Sequence, residues 1–304
     1  MINALTIDVE DYYHVSAFES VVRSQDWDHY EGRVERNTYH ILDILDMYNT
    51  KATFFVLGWI AERQPALIRE IAYRGHEVAS HGYMHQRIYT QTPEQFREET
   101  KRSKCLIEEI INESIIGYRA ASYSITNKSL WALEILVEAG FLYDSSIFPI
   151  WHDLYGIPNA QRHSHAIQTR SGLIYEYPLS TIRVGRVNIP IGGGGYLRIF
   201  PYPLTKWGIK RLNNAESQPA IVYFHPWELD PGQPRLKGKF ISRLRHYSNL
   251  HKTEYILRCL LHDFMFEKMK YLYNLEEKTD QKPLESLSII QATRDSSISA
   301  LTHQ

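Results

Sequence analysis

The chain has 304 residues, 43% hydrophobic and 23% charged, the balance of a globular protein able to bury a core. Its net charge is −1, so no basic excess exists to neutralise nucleic-acid phosphates. Two cysteines exclude a disulfide framework, and the most apolar run, "ATFFVLGWIA" (52–61), is far short of the ~20 residues that span a bilayer.

The chain opens "MINALTIDVE", with neither a basic nor an apolar leader segment, so the expectation is a cytoplasmic protein without a signal peptide. "ALTID" (4–8) predicts a strand that ends on a carboxylate. "NTYHILDILDMYNT" (37–50) has apolar residues at helical spacing, with Asn37 or Thr38 as its cap. "KATFFVLG" (51–58) is a β-rich run, and "PALIREIAYRG" (65–75) is a helix between Pro and Gly. "HEVASHG" (76–82) predicts a strand. "TPEQFREETKRSKCLIEEII" (92–111) predicts a long amphipathic helix capped by Thr92. "IIGYRAAS" (115–122) is a strand and "NKSLWALEILVEAGF" (127–141) a helix closed by Gly140. Strict strand–helix alternation over 4–144 predicts βαβ units and a parallel sheet or barrel, whose active residues sit at the C-terminal ends of strands. From about 145 to 219 the pattern loosens into an elaboration with two strand-like stretches and a flexible "GGGG" turn (192–195). The turn lacks the Lys-Ser/Thr of a phosphate loop. "AIVYFHPWELD" (220–230) returns to a buried strand, and "KTEYILRCLLHDFMFEKM" (252–269) is a last helix. One domain is expected over 1–272, with 273–304 as a poorly ordered tail. Cys105 and Cys259 fall among apolar neighbours and are expected to be buried thiols.

Several strand-end residues carry chemistry. Asp8, Glu10 and Asp11 crowd into four positions, and three carboxylates so close repel unless a cation or a shared proton relieves them. His81 and His85 in "SHGYMHQ" have the i, i+4 spacing that puts two rings on one helix face, as in zinc-binding His pairs. Two His and one carboxylate with open positions form a recurring catalytic metal site. Arg119 could hold a carboxylate ionised and oriented. His225 could act as a general acid, since an imidazole titrates near neutrality. Against each stands a plain structural alternative: a solvated turn, capping histidines, a surface ion pair and a hydrogen-bonded core histidine.

"TIDVED", "SHGYMH", "GYRAAS" and "YFHPWE", in that order over about residues 3–230, resemble the carbohydrate esterase family 4 polysaccharide deacetylases, or NodB-homology domains. The closest resemblance is to the subgroup associated with exopolysaccharide and PEP-CTERM loci. The resemblance implies a distorted (β/α)7 barrel with a C-terminal extension, and a divalent metal such as zinc or cobalt. It also implies hydrolysis of N-acetyl groups on hexosamines of a polysaccharide or its precursor. By the same resemblance Asp8 is the catalytic base, Arg119 its tether, and His225 the catalytic acid. His81 and His85 become metal ligands, and Asp144 in "YDSS" a supporting acid. Val9 stands where the family has a second aspartate, so the carboxylate ligand is Glu10 or Asp11; Glu10 shares a side with Asp8 in an extended segment. The family's Arg-x-Pro is here Arg119-Ala120-Ala121. The alternatives are an allantoinase-like hydrolase of cyclic amides and an inactive sugar-binding homologue.

Overall fold

A computed structural model describes residues 1–275. The chain divides into two units, Met1–Met269 and Lys270–Gln304, and the candidate site lies wholly in the first. The tail expected over 273–304 falls, beyond 275, outside the described residues.

The first unit is built on a nine-stranded sheet. Its first five strands in chain order are β1 (Ile2–Val9), β2 (Thr53–Val56), β3 (Glu77–Ser80), β4 (Gly117–Tyr118) and β5 (Tyr143–Asp144). Between them come α1 (Val34–Met47), α2 (Gly58–Arg63), α3 (Pro65–Tyr73), α4 (Pro93–Ile111) and α5 (Trp131–Glu138). The elaboration holds β6 (His165–Thr169), β7 (Gly172–Glu176), β8 (Thr181–Val184), β9 (Val187–Pro190), α6 (Gly195–Ile199) and α7 (Tyr202–Ala215). Then come β10 (Ile221–Phe224), α8 (Phe240–Tyr247), α9 (Thr253–Asp263), β11 (Met265–Glu267) and α10 (Met269–Leu272).

The sheet order is β10-β1-β2-β3-β4-β5-β7-β6, with β11 also on β1, and every pairing is parallel except β6 with β7. The expected parallel α/β core is therefore present. No pairing among the described residues closes it into the expected barrel: β4 and β5 are two residues long, the antiparallel β6 occupies the far edge, and β8–β9 form a separate hairpin. β1 is buried from Asn3 to Val9 because both faces of a parallel sheet are covered.

The structure departs from the local sequence pattern at several points. α1 begins at Val34, so Asn37 and Thr38 lie inside it. Its first N–H groups are satisfied by a distant carboxylate, Asp11, a contact that local sequence does not reveal. Thr92 does cap α4, in a reciprocal capping box with Gln95. The long helix expected over 252–269 stops at Asp263, and β11 takes the following residues onto β1. Cys105 is exposed and Cys259 half-buried, since each falls outside the buried face of its helix. The "GGGG" segment is not a free turn. Gly193 bridges to Tyr223 beside β10, where an added Cβ would lie 2.3 Å from the tyrosine ring. No described helix is long and apolar enough to cross a membrane.

Candidate metal and acid–base centre

Because the core strands run parallel, Asp8, His81, Arg119, Asp144 and His225 all emerge at one end of the sheet. Five of the expected residues, Asp8, Glu10, His81, His85 and His225, line one cavity of about 350 Å³. Arg119 sits behind Asp8, fully buried.

Arg119 is held by its surroundings before it meets the carboxylate. Its Nε donates to the Ser145 carbonyl (3.1 Å), its Nη2 to Ser145 Oγ (3.0 Å), and its Nη1 to Thr6 Oγ1 (2.8 Å). The same Nη1 donates to Asp8 Oδ1 at 2.7 Å. Thr6 and Asp8 share a side of β1, which is why one guanidinium reaches both. Burial pushes the Asp8 carboxyl up, but Arg119, His81 and His225 outweigh it and hold the group below its usual value. Tyr123 O–H donates to Asp8 Oδ2 at 3.3 Å. Tyr123 and its neighbour Ser122 both adopt left-handed backbone (φ 52°), a conformation that costs non-glycine residues energy and clusters at functional sites.

Glu10, His81 and His85 form a three-ligand cluster whose candidate donor atoms all lie within 4.8 Å of one another. His81 Nδ1–H donates to the Arg119 carbonyl (2.8 Å), which leaves Nε2 with its lone pair toward the cluster. His85 Nε2 is 2.8 Å from Glu10 Oε2, yet this buried oxygen makes no hydrogen bond. Burial pushes the Glu10 carboxyl up; His85, His225 and His81 outweigh it and keep the group ionised. Burial pushes His81 down to about 4, so it is neutral, as a ligand must be. An orphaned carboxylate oxygen beside two imidazoles fits a divalent cation. The His pair does not get there by helical spacing. His81 follows the end of β3 and His85 lies in a loop at φ 50°, so the convergence is a property of the turn.

Asp11 does not join this cluster. Its carboxylate accepts the N–H groups of Tyr12, Arg33 and Val34 and caps α1. Burial raises it to about 6 despite those bonds. Asp144 also stays outside the cavity. It accepts from Ser146 Oγ (2.5 Å), which in turn accepts the Ala120 N–H (2.7 Å), so it steadies the strand end that carries Arg119. Burial pushes Asp144 up to about 6 and its neighbour Glu176 well above its ordinary value.

His225 is oriented by residues that sequence reasoning missed. Its Nδ1 lies 3.1 Å from Glu228 Oε2, and Glu228 Oε1 accepts from Arg198 Nε at 2.9 Å. Arg198 is fixed in turn by the carbonyls of His246 (2.7 Å) and Ser248 (2.9 Å). Trp227 stacks beside His225 and donates Nε1–H to Glu10 Oε1 (3.2 Å). His225 Nε2 is 3.4 Å from Glu10 Oε1 and 3.8 Å from Asp8 Oδ2. Burial pushes His225 down, but Glu228, Glu10 and Asp8 outweigh it and raise it to about 9. The i, i+3 spacing in "HPWE" was the available signal for Glu228; Arg198, 30 residues upstream, left none.

Residues 26–141 match the family model described as polysaccharide deacetylase. This segment is similar to the polysaccharide deacetylases. That stretch carries His81, His85 and Arg119, while residues 145–274 match a domain of unknown function (DUF3473) that includes His225. A Bacillus cereus peptidoglycan-N-acetylglucosamine deacetylase is 37% identical over 81 residues, 27% of this chain and 28% of the relative. A Bradyrhizobium chitooligosaccharide deacetylase is 30% identical over 99 residues, 33% of this chain and 43% of the relative. The chain thus spans less than half of each of these relatives. Among solved structures, a candidate polysaccharide deacetylase from Mycobacterium smegmatis superimposes with a TM-score of 0.58 at 22% identity, covering 91% of this chain and 90% of that one. Puue allantoinase superimposes at 0.53 and 15% identity, covering 82% and 83%. These two likenesses are of fold.

Proposed function

We propose that this chain is a metal-dependent N-deacetylase acting on hexosamine residues of a polysaccharide or its precursor, in exopolysaccharide biosynthesis. The observation that carries the proposal is the convergence of the Glu10–His81–His85 cluster, the Arg119-held Asp8 and the Glu228-held His225 on one cavity. The names of the curated relatives point to the same amide chemistry.

Glu10, His81 and His85 would hold the metal, which is zinc or a similar divalent ion. Bound there, it supplies Lewis acidity to a water and to the acetyl carbonyl. Asp8, kept ionised by Arg119, takes the proton of the attacking water. As the C–N bond breaks, His225 Nε2–H gives its proton to the departing amine, and acetate leaves. Glu228 stabilises the imidazolium that His225 must be before that transfer. Tyr123 O–H and Arg119 keep Asp8 in one rotamer.

The test is release of acetate from N-acetylglucosamine oligomers by the purified chain, before and after chelation and zinc or cobalt add-back. The likeness of fold to an allantoinase makes a cyclic ureide the control substrate. Turnover of the ureide with none of the oligomers refutes the proposal. Metal loading without any hydrolysis would instead mark a sugar-binding homologue.

A further inference from the structure

The 23 residues between Asp230 and Glu254 contain six Lys or Arg and no acid, in a chain whose net charge is −1. They include α8, whose inner side carries the buried His246, stacked on Trp227 at 4.1 Å. On its outer side Phe240, Ile241 and Leu244 are 76%, 61% and 56% exposed. At about 100° per residue these three occupy an arc of roughly 100°, with Arg243 on one flank and Arg245 on the other. Lys237 and Lys239 precede the helix on exposed chain. Such an apolar stripe between cations is the pattern of a helix lying in a membrane interface.

The flank of α8 that carries Arg245 borders the mouth of the candidate site. Ser242 and Arg245 of α8 line the cavity together with Leu154 and Ile199, both also exposed. Arg245 lies 3.8 Å from Asp153, which sets the 151–154 loop beside the helix. That loop carries Trp151, 81% exposed, a residue type enriched at membrane–water interfaces.

We propose that α8 and the 151–154 loop dock this protein on the surface of an anionic phospholipid bilayer, with the mouth of the cavity turned toward the headgroups. Charge decides between occupants. A second copy docking through the same face would set Arg243 and Arg245 against their own equivalents, and like charges repel. Anionic headgroups complement Lys237, Lys239, Arg243 and Arg245 beside the stripe, and the shallow stripe needs no groove in its partner. Eight residues are far too few to span, so the attachment is peripheral.

The experiment is co-sedimentation of the full chain with vesicles of phosphatidylcholine alone or mixed with phosphatidylglycerol, at low and high salt. Binding is expected only with phosphatidylglycerol and weakens as salt rises. Lys237→Glu, Lys239→Glu and Arg243→Glu together lower the partition by about a hundredfold, at roughly fivefold per basic residue. Phe240→Ser, Ile241→Ser and Leu244→Ser together lower it at least tenfold. Both sets are exposed, so circular dichroism melts should match the parent. Absence of vesicle binding, equal binding to phosphatidylcholine, or undiminished binding by both variant sets overturns the proposal. So does a concentration-dependent dimer that the Ser variants abolish, because the stripe would then belong to a second copy.

Discussion

Glu228→Gln tests the acid–base assignment most sharply. Glu228 faces His225 Nδ1 at 3.1 Å in a buried setting, and it is the leading influence holding that imidazole up near 9. Glutamine keeps the shape and an acceptor oxygen for Arg198 but removes the charge. A hydrogen bond to a charged group contributes about 1.5–3 kcal/mol, and one pKa unit corresponds to about 1.4 kcal/mol. His225 should therefore fall by about 1–2 units. The acid is active while protonated, so activity is lost as pH rises through its pKa, and the alkaline limb of the kcat/KM profile should move down by that amount. The assay is acetate release by the metal-loaded enzyme from pH 5 to 10, with melts at each pH to exclude unfolding. A uniform fall in rate with the limb unmoved refutes the coupling of Glu228 to the acid. An unchanged profile and rate would leave Glu228 with no part in the acid–base step.

Further outcomes are expected. Asp8→Asn keeps the fold but lowers kcat by about 10²–10⁴-fold, measured on N-acetylglucosamine oligomers. Arg119→Met leaves Asp8 buried without its partner, and breaking such a pair costs about 3–5 kcal/mol, visible in urea unfolding. Glu10→Gln loses bound zinc by elemental analysis. Asp11→Ala retains zinc but loses a helix cap worth about 0.5–2 kcal/mol; zinc lost from the Asp11 variant alone would exchange their roles. Zinc at a hundred times its dissociation constant should raise unfolding stability by about 2.7 kcal/mol, followed by thermal shift. Asp144 and Glu176 both hold protons in the folded state that the unfolded chain has lost above about pH 4. The contribution of Asp144 thus falls as pH rises from about 4 through 6, and that of Glu176 goes on falling up to its own raised pKa. Glu176→Gln removes one of the two titrating carboxyls and should flatten that decline; a decline as steep as the parent's would refute the pairing.

Local pattern determined much of this protein. The alternation of apolar runs predicted the parallel core, and it put Asp8, His81, Arg119 and His225 at strand ends. Those assignments needed only the two periodicities of strand and helix and the short reach of turn and cap signals, as in the Thr92 capping box. Tertiary structure decided what lies between distant segments. It separated Glu10 from Asp11 because α1, 23 residues on, presents its bare N–H groups to Asp11. It brought His85 to Glu10 through a loop with positive φ rather than a helix face. It also supplied His225 with Glu228 and Arg198, the latter anchored by carbonyls about 50 residues downstream. Sequence periodicity shows which face of an element is buried. Which buried polar groups meet depends on register and loop path, and those are fixed only when the whole chain packs.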